Sequence, residues 1–237
     1  MSYNERGYWL IDIPSLSSEG QATFDNLPLD VYTPGKQRYR RFTAYRMYFE
    51  NSAWRLEALP ARPFLQPRSY NTLTGGVPRV FEPMQLDPTP QMAAIAKAME
   101  LDGREDYALN VHQVRVIANS SIKGIVVPEG PHRDGHHIIM TLVFARNNIR
   151  GGASQLMDAG SNIPFFDRVL SPGQGLIVED ERMWHYATDI EALDVSGGYR
   201  DIWIVSLNLW KNRRYGEEYE ARVSAVPVPE KEEVALK

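Results

Sequence analysis

Pro128-Glu129-Gly130-Pro131-His132-Arg133-Asp134-Gly135-His136, running straight into the apolar stretch 137–145, is the passage on which the reading of this chain turns. Glycine and proline mark a turn, and the apolar run after it reads as a buried strand. If the triplet leaves the turn in extended conformation, period two puts His132 and Asp134 on one side and Arg133 on the other. One imidazole and one carboxylate can then reach the same ion. A second imidazole stands downstream, His185 in Met183-Trp184-His185-Tyr186-Ala187. Two histidines and a carboxylate make the facial set that holds non-haem Fe(II) and leaves other coordination positions open. The triplet alone is weak, because a surface histidine beside an aspartate accounts for it better. The distant partner, flanked by aromatic residues, turns the balance toward a metal site. His136 falls on the same face further along and reads as a pocket-lining or supporting group. His137 is a rival ligand. His112, on an earlier run, reads as structural.

Outward from this passage, short alternating or apolar runs cover 111–118, 122–127, 137–145, 153–157, 175–179, 185–188 and 202–209, separated by Gly, Pro and Asn. Six or seven such strands predict a mainly β, closed or sandwiched antiparallel fold such as a jelly roll. Before them, 8–13 reads as a strand and a polar-capped helix starts near Ser17-Ser18. Residues 60–90 read as loop with short strands, and 90–101 as a small helix with Pro90 in its first turn. Residues 37–50 alternate basic and aromatic side chains, among them Arg38, Tyr39, Arg40, Arg41 and Phe42. This suits a strand with two unlike faces, either a solvated face or the wall of an anion-binding pocket. A single domain spanning 1–237 is expected, with its core over roughly 37–210 and a frayed tail over 223–237.

Composition limits the chemistry. There is no cysteine, so thiolate metal sites and disulfides are excluded and any metal must use His and carboxylate. The formal charge of −4 and the scattered arginines argue against nucleic acid. No run is apolar enough to span a bilayer and no signal-like N-terminus is present, so a cytoplasmic protein is expected. Zinc hydrolysis also uses His and carboxylate ligands, but no His-Glu-X-X-His pattern occurs.

The passage at 128–136, taken with Arg146-Asn147-Asn148-Ile149-Arg150-Gly151-Gly152-Ala153-Ser154, resembles the iron(II)- and 2-oxoglutarate-dependent dioxygenases that hydroxylate free L-amino acids, the L-isoleucine 4-hydroxylases among them. The similarity runs roughly from 37 to 209 and touches Gly75-Gly76-Val77-Pro78-Arg79-Val80-Phe81 and Val111-His112-Gln113-Val114-Arg115. The resemblance implies a cupin-like double-stranded β-helix flanked by helices. It implies His132, Asp134 and His185 as Fe(II) ligands, with 2-oxoglutarate and O2 as co-substrates and succinate and CO2 as co-products. It also implies a basic residue after the distal histidine that holds the far carboxylate of 2-oxoglutarate, and Arg200 stands in that place. The residues agree: an arginine entering the run Ile202-Trp203-Ile204-Val205 needs an anion, since a lone buried charge is costly, and a carboxylate fits its fork. A salt bridge to Asp201 or Asp180 is the alternative. A free amino acid also needs a cation for its carboxylate, for which Arg79 and Arg115 are candidates. Gln113, on the strand face of Arg115, could orient polar groups. A homodimer is compatible with this reading. The rival classes are a cupin-type metal-dependent isomerase or hydrolase, a non-catalytic small-anion-binding protein, and a dioxygenase acting on a residue of a peptide.

Overall fold

The computed structural model describes residues 5–224. Its strands are β1 (Tyr8–Asp12), β2 (Arg38–Glu50), β3 (Ala53–Ala58), β4 (Tyr107–Ala118), β5 (Ile138–Asn147), β6 (Ile149–Gly151), β7 (Ser154–Met157), β8 (Phe166–Arg168), β9 (Gln174–Glu179), β10 (Trp184–Ala187), β11 (Ile190–Ala192) and β12 (Gly198–Leu209). The helices are α1 (Ser18–Ala22), α2 (Thr89–Ala98) and α3 (Glu217–Ser224). A seven-stranded sheet runs in the order β1-β9-β5-β12-β4-β2-β3, every neighbouring pair antiparallel. A small sheet, β10-β7-β8, and the pair β11-β6 supply the opposing layer. This is the two-layered antiparallel architecture of a jelly roll.

Both faces of the large sheet are covered, and the alternation along β12 shows how. Trp203, Val205 and Leu207 join Leu109, Val111, Met140 and Leu142 in a core that α2 closes with Met92, Ile95 and Ala96. Ile202 points the other way, into a second core with Val114, Val116, Val143, Leu176 and Val178, facing Leu156 of β7. Each fully buried aliphatic side chain here contributes about 1.5–3 kcal/mol. Helix α1 starts where Ser17 Oγ accepts the Gly20 N–H at 3.1 Å, as an N-cap does. Its placement matters because Gln21 reaches the main sheet, donating to Asp201 Oδ2 at 2.9 Å.

One expectation is corrected. The run 122–127 forms no regular strand; its ladder pairing is one isolated bridge between Gly124 and Ile190, where a Cβ on Gly124 would run into the Ile190 side chain. Helix α3 ends at Ser224, and the frayed tail expected over about 223–237 lies, from 225 on, outside the described residues. Strands β3, β6, β8 and β11 had no clear alternation to reveal them. Among the described residues no helix is long and apolar enough to cross a membrane.

Candidate metal centre

His132 and His185 face each other across an isolated antiparallel bridge. His132 N–H donates to the His185 carbonyl at 3.1 Å and His185 N–H returns the bond at 2.9 Å. This pairing extends the small sheet by one residue and places the two imidazoles 4.5 Å apart, centroid to centroid. Asp134 completes the set: Oδ1 is 3.6 Å from His132 Nε2 and Oδ2 is 3.5 Å from His185 Nε2. One ligand atom from each of the three residues lies within 4.8 Å of the others. Arg133 turns away and donates to the Glu181 carbonyl.

The surroundings aim these groups. His132 Nδ1 lies 2.9 Å from the Gly130 carbonyl, which can only accept. Nδ1 therefore carries the proton, and neutral His132 presents the Nε2 lone pair to an ion. His185 Nε2 is buried and makes no hydrogen bond, although Asp180 Oδ1 is 3.2 Å away. Burial pushes the His132 pKa down, but Asp134, Glu129 and the Gly130 carbonyl outweigh it and raise it to about 9. Burial raises Asp134, but His132 and His185 overcome this and hold it well below the usual carboxylate range. The cluster thus favours positive charge among its ligand atoms, and two nitrogens plus one oxygen suit a borderline divalent cation.

Asp180 is fully buried and holds the ligand turn in shape. It accepts from the N–H groups of Asp134 at 3.1 Å, Gly135 at 2.6 Å and His136 at 3.0 Å. Gly135 has φ +76, and a Cβ there would run into the Tyr70 ring, so the turn requires glycine. Sequence reasoning gave Asp180 no such role, yet a signal existed: Leu176, Val178 and Asp180 share one parity, and the first two line the cavity.

Arg200 lies on β12 on the cavity side and is completely buried. None of its three nitrogens has a hydrogen-bond partner among the described residues. The alternative salt bridges are taken elsewhere: Asp201 binds Arg115 and Gln21, and Asp180 caps the ligand turn. Burial, and then the nearby Arg146, lower the Arg200 pKa to about 10. An unpaired guanidinium aimed into a cavity is a site for an anion.

A second cationic group lines the same cavity: Arg38, Arg40 and Arg79. The basic-aromatic alternation of β2 therefore builds a pocket wall. Arg40 pairs with the buried Asp30 at 3.6 Å and donates to His112 Nδ1 at 2.7 Å. Burial lowers its pKa to about 9, Asp30 opposing and Arg79 and Arg38 adding. Arg79 is buried, bonds Gln66 Oε1 at 2.6 Å and leaves Nε without a partner. Arg38 donates to the Val126 carbonyl. Glu129 lines the cavity 4.0 Å from His132 Nε2.

Gln113 and Arg115, expected at the substrate, are not brought to this cavity. Both project from the opposite face of β4. Gln113 donates to Thr23 Oγ1 at 2.7 Å, and Arg115 is bound by Asp201 at 2.6 Å and Asp25 at 2.7 Å. The parity that reaches the cavity is that of His112, which lines it as a neutral imidazole; burial first, then Arg40 and Arg79, lower its pKa well below 6.5. His136 lines the cavity too, its Nδ1 accepting from Asn208 at 2.8 Å. His137 is exposed.

Comparison with known proteins agrees with this geometry. No curated protein sequence matches the chain. Among solved structures, a BsmA homologue from Methylobium petroleophilum superposes with a TM-score of 0.68 at 24% identity, covering 80% of this chain and 79% of that one. IDO from Bacillus thuringiensis superposes at 0.61 and 18% identity, covering 81% and 82%. The Fe(II)/α-ketoglutarate-dependent dioxygenase TqaL gives 0.53 and 14%, covering 85% and 82%. At these identities the likeness is one of fold. The sequence model of the 2OG-Fe dioxygenases matches residues 21–206. The chain belongs to the 2OG-Fe dioxygenase family, whose members use Fe(II), 2-oxoglutarate and O2.

Proposed function

We propose that the protein hydroxylates an aliphatic carbon of a free L-amino acid or a close derivative, with succinate and CO2 as co-products. The observation that supports this most is one cavity lined by Arg200, by a second cationic group, Arg38, Arg40 and Arg79, and by a two-histidine, one-carboxylate cluster. In this reading His132, Asp134 and His185 hold Fe(II). The donor set and the unpartnered His185 Nε2 fit that ion. The bound iron, with 2-oxoglutarate and O2, supplies the oxidising power that a protein side chain lacks.

The chain's own residues do the rest. Arg200 anchors the far carboxylate of 2-oxoglutarate in its fork, where no protein carboxylate competes. Arg79, with Arg40 beside it, takes the carboxylate of the substrate. Glu129 accepts its ammonium. Phe64, Val126, Val127 and Ile204 surround the intervening space with apolar atoms. They exclude water and hold an aliphatic side chain in a fixed direction, which limits oxidation to one carbon.

The test is a panel of free L-amino acids incubated with the protein, Fe(II), 2-oxoglutarate and ascorbate. It is scored for succinate and for a product heavier by one oxygen. At least one amino acid is expected to give both in equal amounts, and His132→Ala, Asp134→Ala and His185→Ala are each expected to abolish them. Succinate formation that no amino acid stimulates refutes the substrate class. Full turnover in any of the three variants refutes that ligand assignment. Conversion of a substrate without succinate or oxygen uptake would point to cupin-type isomerase or hydrolase chemistry.

A further inference from the structure

We infer that Gln66 is a positioning residue that fixes the ligating orientation of Asp134 and ties it to Arg79, so that the anion-binding end of the cavity and the metal carboxylate act as one unit. The inference rests on the reading of Asp134 as a metal ligand. Gln66 is buried. Its Nε2 donates to Asp134 Oδ1 at 2.9 Å, and its Oε1 accepts from Arg79 Nη2 at 2.6 Å. The direction of the amide is forced by chemistry: a guanidinium only donates and a carboxylate only accepts, so the reversed amide would face both partners wrongly.

The relay stands on fixed backbone although it sits in a region without regular strands. Phe64 and Arg79 exchange backbone hydrogen bonds at 2.7 and 3.0 Å, and the Gln66 carbonyl accepts from Gly76 at 2.8 Å. Gly75 lets the loop close on itself, since a Cβ there would overlap the Asn71 carbonyl oxygen. The Tyr219 hydroxyl of α3 donates to the Leu65 carbonyl at 3.0 Å. The backbone that carries Gln66 cannot shift without undoing these contacts.

Two consequences follow. With Oδ1 engaged by Gln66, Asp134 presents Oδ2 toward His185, and a one-oxygen contact with a metal leaves more positions open than a two-oxygen contact. An anion that draws on Arg79 must also pull on Gln66 and therefore on Asp134. Substrate occupancy is then felt at the metal through two hydrogen bonds and no other moving part.

The experiment titrates the full-length protein with Co(II), followed by its visible absorption, for the parent, Gln66→Met, Arg79→Met and the double variant. Removing a group that orients a metal ligand typically weakens the metal about 10–100-fold, and that loss is expected for Gln66→Met. The change caused by Arg79→Met should differ between the parent and Gln66→Met backgrounds by about fivefold or more, as expected of contacting residues. The direct charge effect of Arg79 is common to both backgrounds and cancels. A purely structural Gln66 would lower the melting temperature and leave the Co(II) affinity of the folded protein unmoved. Parent-like Co(II) binding by Gln66→Met, or additive effects of the two substitutions, overturns the inference. Should Gln66→Met not fold, Gln66→Asn is titrated in its place; it is one methylene too short to span both partners and faces the same two outcomes. A parent protein that binds no Co(II) removes the metal reading itself, whereas a parent and a Gln66→Met that bind alike remove only the role of Gln66.

Discussion

Replacing Arg200 by methionine should make the metal-free protein more stable and the enzyme much worse. The guanidinium is completely buried and without an acceptor. Burial, with Arg146 adding, lowers its pKa from the ordinary guanidinium value to about 10. At about 1.4 kcal/mol for each tenfold change, that is a destabilisation on the order of 3 kcal/mol. The sign follows from linkage. The unfolded chain holds this proton more tightly than the folded one, so the cost is present in full at neutral pH and fades only as pH rises beyond about 10 toward the ordinary guanidinium value. Arg200→Met removes the cost and leaves a small void that offsets part of the gain. For a chain of this size each kcal/mol moves Tm by about 2–4 °C, so a rise of roughly 5–10 °C is expected in the absence of metal and 2-oxoglutarate. Losing one partner of a buried charged hydrogen bond in a complex costs about 2–4 kcal/mol. The apparent KM for 2-oxoglutarate, read from succinate formation, should therefore rise about 30- to 1000-fold. Two results refute the reasoning. An unchanged 2-oxoglutarate constant means Arg200 is not the anchor, and a lower Tm means the guanidinium has a partner in the folded protein.

Arg115→Ala should do the reverse. It strips the buried Asp201 of its charged partner, which costs on the order of 3 kcal/mol in urea unfolding, while the constants for 2-oxoglutarate and amino acid stay as in the parent; a selective rise in the amino-acid KM would return Arg115 to the substrate. His112 is buried neutral with a pKa well below 6.5. Its contribution is complete above pH 6.5 and is lost as pH falls, because the unfolded histidine then takes up a proton that the folded one refuses. His112→Gln should flatten the acid limb of the stability curve, and an acid limb identical to the parent's would show that His112 charges in the folded state.

How much of this was legible in the sequence depends on whether a residue belongs to a periodic element. Period two in β12 put Arg200 on the face of Ile202 and Ile204, and the same rule brought His132 and Asp134 to one side of their turn. The same rule misled at β4. Alternation says that His112 and Gln113 face opposite ways but not which face meets the cavity, and the side chosen for Gln113 and Arg115 is the one met by Thr23 and Asp25, in the turn that follows α1. Parity is local; the assignment of a face to inside or outside is made by whatever packs against the sheet.

The sequence by itself determined the antiparallel strand-rich fold, the two histidines and one aspartate that the fold brings together and the arginine at the start of the last strand, because these depend on residue type and on spacing along one chain. Only the tertiary structure decided what surrounds them. Asp180 caps the ligand turn from 44 to 46 residues away, and Gln66 joins Asp134 to Arg79 from a loop with no period at all. Whether Arg200 was a salt bridge or a free anion site was likewise undecidable from the chain. It turned on Asp201 being taken by Arg115 and Asp180 by backbone amides, and hydrogen-bonding capacity is used up in space, among groups that the sequence keeps far apart.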